Sequence, residues 1–90
     1  MGLPISRVGD ITDHGGIIVT GSGDSTSEGR PIARVGDIGY CPLPDHPSIF
    51  IIVTGCVTAT TDGLATARVG SACSCGATVV TGAAGSTVGS

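Results

Sequence analysis

Ninety residues, with seven acids against four arginines and a net charge of -3, make at most one small domain and offer no basic surface for a phosphate backbone, which argues against a nucleic-acid partner. One Phe, one Tyr, no Trp and 16 Gly leave few bulky side chains for a core, so apolar burial alone is a weak stabiliser at this size. No run of about 20 apolar residues is present to span a bilayer as a helix, and the Val, Ile and Ala that supply the apolar content suit strands.

The chain opens on MGLPISRVGD, which has neither a basic leader nor an apolar h-region, so synthesis and assembly in the cytoplasm are expected. In that reducing compartment cysteines serve as metal ligands or buried residues more often than as disulfides. PISRVGD begins at Pro4 and is followed by IIVTG, Ile17 to Gly21. PIARVGD begins at Pro31 and is followed by IIVTG, Ile51 to Gly55; ATARVGS begins at Ala65 and is followed by TVVTG, Thr78 to Gly82. The chain is therefore a threefold repeat, with units of approximately 4–30, 31–64 and 65–90. From the Arg to the valine of Val-Thr-Gly the offset is 12 residues in the outer units (Arg7 to Val19, Arg68 to Val80) and 19 in the middle one (Arg34 to Val53). The middle unit thus carries a seven-residue insertion, which falls around YCPLPDHPS.

Each unit reads as a strand, a Gly-Asp or Gly-Ser corner and a second strand. No segment sustains a 3.6-residue apolar period, so helices are not expected. The connectors GSGDSTSEGR and CVTATTDGLAT read as loops or hairpin returns, and AAGSTVGS follows the last Val-Thr-Gly. The expected fold is all-β, compact and pseudo-threefold.

Seven residues beyond each repeat arginine stand His14, Cys41 and Cys75. Three equivalent positions of a threefold arrangement converge near one axis, and all three carry residues that bind transition metals. With six His and Cys among 90 residues, chance would fill any one such position about once in fifteen. His46, in the insertion, supplies a fourth ligand, and Cys2His2 is by type and number a closed, structural zinc site. Two thiolates neutralise Zn²⁺ and two neutral imidazoles add no charge, so the site tolerates scarce water. Cys73 lies two residues before Cys75 and would face the same side of an extended strand, so register alone separates them; Cys75 is preferred. Cys56 occupies the place of Ser22 and Ala83 and reads as a small buried residue.

The repeated PISRVGD, PIARVGD and ATARVGS, with the GDxxxHGG pattern from Gly9 to Gly16, GDxxxCP from Gly36 followed by His46, and the final CGA from Cys75, resemble the PAAR-repeat family. The resemblance implies a small β cone whose broad base docks on a trimeric VgrG spike of bacterial type VI secretion and whose sharp tip is held by zinc. It also implies delivery out of the cell by the injection machine, with effectors or adaptors as further partners. The units depart from PAAR in reading PISR, PIAR and ATAR, and Ser71 stands where the other units have Asp10 and Asp37. Arg7, Arg34 and Arg68 read as surface or turn-bracing residues.

The tip of a phage tail or of another contractile injection machine is the alternative within this class. A small metalloenzyme, with Asp10, Asp13, Asp37, Asp45 and His14 as acid and base beside an open zinc, is the alternative outside it. The chain is short for a substrate pocket beside its own core, and Asp after Gly is a common turn residue, so the protein is not expected to be an enzyme.

Overall fold

A computed structural model describes residues 3–42, 48–56, 58–83, 85 and 87–88. Among these there is no helix. Nine short strands run β1 Leu3–Pro4, β2 Ile17–Ile18, β3 Thr26–Ser27, β4 Arg30–Pro31, β5 Ile38–Tyr40, β6 Ile49–Ile51, β7 Thr60–Thr61, β8 Leu64–Ala65 and β9 Thr87–Val88. β2, β5 and β6 form one antiparallel sheet, and β1–β9, β3–β4 and β7–β8 form three antiparallel pairs.

Isolated bridges complete these pieces into closed circuits. Around the middle of the molecule, Arg7 pairs with Ile32, Arg34 with Thr66 and Arg68 with Ile5. Each repeat therefore lends one residue to the next, and the third returns to the first. At the centre the backbone N–H of Ser6 donates to the Ala67 carbonyl, Ala67 to Ala33, and Ala33 to Ser6, at 2.9–3.0 Å. These three residues have no exposed surface. Small side chains are required at such a meeting of backbones, which explains Ser and Ala before each repeat arginine.

Toward one end lies a second circuit of six segments. It runs from Ile11–Thr12 to Ile17–Ile18, then to β5, β6 and Ile52, to Ala72–Cys73, to Thr78–Val79, and back through the pairing of Thr12 with Val79. Circular closure removes the free sheet edges that six short strands would otherwise expose. Ile18, Ile52 and Val79 fill its interior as equivalents, none with exposed surface.

The next interior level breaks the symmetry. Its equivalents are Gly16, Phe50 and Ala77, with Thr12, Gly39 and Cys73 opposite, and Phe50 is completely buried. A Cβ on Gly39 would collide with the Phe50 ring and lie 2.5 Å from the Ile17 carbonyl oxygen, and one on Gly16 would lie 3.1 Å from the same ring. One aromatic ring thus takes the space of several side chains, and glycine opposite it is obligatory.

Toward the other end stand the three strand pairs. β3–β4 and β7–β8 are two-residue hairpins closed by Glu28-Gly29 and Asp62-Gly63, all four residues at positive φ (51°, 83°, 54° and 82°), the backbone of a type I′ turn. The third pair, β1 with β9, joins segments far apart in sequence in the same register, Pro4 against Thr87 where the others have Pro31 against Thr26 and Ala65 against Thr60. The segment after the last Val-Thr-Gly is therefore part of the threefold architecture. Three pairs around one end, with the six-segment circuit toward the other, give the compact, pseudo-threefold all-β fold expected from the repeats, in the arrangement that the family resemblance describes as a cone.

Candidate metal centre

The corner after each repeat arginine sets the site. Gly9, Gly36 and Gly70 adopt φ of 94°, 97° and 96°, a conformation that glycine reaches without strain. At each corner the glycine N–H bonds across to Ile18, Ile52 or Val79, fixing where the chain enters the narrow end. Two further turns follow the same plan: Gly15 N–H donates to the Thr12 carbonyl and Gly76 N–H to that of Cys73, both at 3.0 Å. These turns lift His14 and Cys75 to equivalent places. In the middle unit Pro42 follows Cys41 where the others have glycine, and Cys41 N–H instead donates to the Ser48 carbonyl at 2.8 Å across the neck of the insertion.

The outcome is a cluster in which one donor atom each from His14, Cys41 and Cys75 lies within 4.8 Å of the others. Cys41 is buried, and His14 and Cys75 are half-buried. The donors fit a transition metal. Zn–S bonds of about 2.3 Å give tetrahedral edges of roughly 3.8 Å, so closure on an ion asks for movement of about an ångström at most. Thiolates and imidazole are the donors that zinc prefers, and nothing in the cluster is a hard oxygen ligand of the kind calcium selects. His46, the expected fourth ligand, lies outside the described residues, as do Asp45 and the prolines on either side of it.

Cys73 is not in the cluster. The turn between it and Gly76 reverses the chain, so the two cysteines are not neighbours on one strand face. Cys73 packs in the core beside Ala77 and Val79 at 4% exposure, and burial, with the nearby Cys75, Asp13 and Cys41 adding to it, pushes its thiol up to about 11. Cys56 is fully buried near the opposite end and shares a hydrogen bond with Thr58 Oγ1 at 3.4 Å. None of the four cysteines is disulfide-bonded. Asp13 Oδ1 sits 3.9 Å from His14 Nε2 and accepts the Thr78 N–H at 2.9 Å, tying the His14 turn to the third repeat.

The repeat arginines brace the corners. Asp10 accepts from Arg7 through the backbone N–H (2.7 Å), Nε (3.1 Å) and Nη2 (3.3 Å), and from the Thr81 hydroxyl (2.9 Å). Asp37 repeats the pattern with Arg34 (2.8, 2.9 and 3.0 Å) and Thr20 (2.9 Å). Burial acts to raise both carboxyls, but the arginine and threonine hydrogen bonds and the arginine charge together hold them below the ordinary carboxylate range. The threonine of each Val-Thr-Gly also accepts the N–H of Ile11, Ile38 or Ala72 from the neighbouring repeat, a second task for Thr81 and Thr20. The Arg-x-x-Asp spacing and the repeated threonine were present in the sequence as signals for this brace. Sequence reasoning took the aspartates singly, as turn formers, and missed the pairing.

The family model described as the PAAR motif matches residues 2–81, and no curated protein matches the chain.

Proposed function

The chain belongs to the PAAR-motif family, and on that premise we propose that it is the structural tip of a trimeric, VgrG-type spike of a type VI secretion system, with a structural zinc ion held by His14, Cys41, Cys75 and His46. The PAAR motif fits a spike-tip role in contractile injection systems. The observation that carries the reading is the convergence of three threefold-equivalent ligand types at the narrow end of a cone whose other end has three equivalent strand pairs. A pseudo-threefold base matches a threefold partner, and a metal at the apex crosslinks segments that are far apart in sequence.

The architecture suits axial load. Every repeat is hydrogen-bonded to both others at the Ser6, Ala33 and Ala67 centre and again in the six-segment circuit, so force on the apex is shared by all three. Exposed Val19, Val53 and Val80, 45–49% accessible and equivalent by repeat, supply an apolar girdle for packing against the spike or against docked effectors and adaptors. The protein would remain in the cytoplasm until assembled and leave with the spike.

The test is co-purification with the spike trimer. The metal-loaded chain is expected to co-elute at one copy per trimer in size-exclusion chromatography at micromolar concentration. Absence of a complex would remove the spike-tip reading.

A further inference from the structure

Both histidines of the chain directly follow an aspartate, as Asp13-His14 and Asp45-His46, whereas Tyr40 and Ser74 precede Cys41 and Cys75. Acids are scarce, seven in 90 residues, so the pairing asks for a reason, and ligand chemistry gives one. A thiolate offers the ion its only donor atom. An imidazole that offers one nitrogen keeps an N–H on the other, and the acceptor of that N–H fixes both the tautomer and the orientation of the ring.

At His14 the two nitrogens have different surroundings. Nδ1 is buried, as is Cys41, the buried member of the cluster. Nε2 lies on the Asp13 side, 3.9 Å from Oδ1, where the Asp13 side chain is 49% exposed. Asp13 is itself anchored: its backbone N–H donates to the Thr78 carbonyl and its Oδ1 accepts the Thr78 N–H, both at 2.9 Å. The anchor is on the third repeat, the one that supplies Cys75. A carboxylate oxygen has two lone pairs, so this anchor leaves capacity for the imidazole. An N–H···O bond of about 2.9 Å asks for an approach of about an ångström, the same size of movement that draws the cluster's donors onto an ion. The half-exposed carboxylate has room for it.

We infer that Asp13 is a positioning residue of the metal centre: it accepts the Nε2–H of His14, so that the buried nitrogen, Nδ1, is the atom that faces the ion. This rests on the zinc reading above and deepens it by naming the ligand atom and the group that selects it. Because Asp13 is hydrogen-bonded to Thr78, the same contact sets a ring of the first repeat by a strand of the third.

Two measurements on the full chain test it. The first loads the protein with a spin-active cadmium isotope, which takes thiolate and imidazole ligands as zinc does, and reads cadmium–proton couplings by NMR. An ion on Nδ1 couples to Hε1 of His14 but not to Hδ2, whereas an ion on Nε2 couples to both. Coupling to Hε1 alone is expected, together with a slowly exchanging Nε2–H signal. Coupling to both protons overturns the inference and leaves the zinc reading intact. A chain that binds neither cadmium nor zinc refutes the zinc reading, and the inference with it. The second measures zinc affinity, by competition with a chromophoric chelator, for wild type, Asp13→Ala and Asp13→Asn. A loss of about tenfold or more is expected in Asp13→Ala, with faster exchange of the Nε2–H, and a smaller loss in Asp13→Asn, which keeps an uncharged acceptor oxygen. Wild-type affinity in Asp13→Ala overturns the positioning role. So does a loss of affinity with the Nε2–H signal unchanged, since Asp13 would then act through Thr78 alone. Should Asp13→Ala fail to fold, Asp13→Asn carries the comparison, and the cadmium experiment needs no variant.

Discussion

At the scale of single residues, the most consequential groups outside the metal cluster are Asp10 and Asp37. Both are nearly buried, at 3% and 6% exposure, and each takes four hydrogen bonds from one arginine and one threonine. Removing the carboxylate strands a guanidinium, and for a buried pair that costs about 3–5 kcal/mol. Asp10→Ala and Asp37→Ala are therefore expected to lower stability by roughly that amount, toward the smaller end for Arg34 because its side chain is the more exposed, with urea unfolding as the check. The pH dependence has a definite sign. Both carboxyls titrate lower folded than unfolded, so between those values the unfolded chain binds more protons and stability rises with pH. Their contribution is complete above the ordinary carboxylate value of about 4 and is lost as pH falls through the depressed folded values. The stability gap between wild type and Asp37→Asn, which share the same metal ligands, is expected to be constant from pH 7 to 5 and to close below about pH 4.

At the scale of elements, Phe50 and the glycines across from it decide how the six-segment circuit is filled. Phe50→Ala should leave a cavity costing about 3–5 kcal/mol. Gly39→Ala should be destabilising by about 1–3 kcal/mol through overpacking, whereas Gly23→Ala, where an added Cβ meets nothing within 4 Å, should change little; thermal melts of the three variants check this. Repeat boundaries and strand character were legible in the sequence because Arg-Val-Gly and Val-Thr-Gly recur with fixed spacing and because β-branched residues cluster between them. The filling of the core was not. Gly16, Phe50 and Ala77 have no resemblance as residues, and only superposition in space makes them alternatives for one volume. The pairing of β1 with β9 was likewise hidden, although a threonine stands five residues after each Val-Thr-Gly glycine, at Thr26, Thr60 and Thr87.

At the scale of the whole molecule, a core with one aromatic ring gives the proposed metal centre a large expected share of the stability. About one zinc per chain is expected by elemental analysis of the purified protein. Cys75→Ala and His46→Ala should each lower the melting temperature steeply and reduce bound zinc, Cys56→Ala should leave the zinc in place, and mild acid should release it, since thiolates and imidazoles take up protons. A larger zinc loss in Cys73→Ala than in Cys75→Ala would reassign the third-repeat ligand. The apex is where local and global organisation meet: each ligand is positioned by its own turn, but the cluster exists only because the strands close into a circuit.

What the sequence by itself determined was periodic: three units, the all-β class, the corners at glycine and the three positions seven residues after each arginine. Identical spacing on a closed repeat sets equivalent residues around one axis, and the metal-binding residue types shared by His14, Cys41 and Cys75 marked these three as a set that meets near it. What only the tertiary structure decided was every departure from the period. Whether Cys73 or Cys75 joins the cluster depends on a turn that spacing cannot distinguish from a strand. That Phe50 faces two glycines, and that Glu28 and Asp62 reach Arg7 and Arg34, depends on which side chains of segments far apart in the chain meet, and such meetings are set by packing.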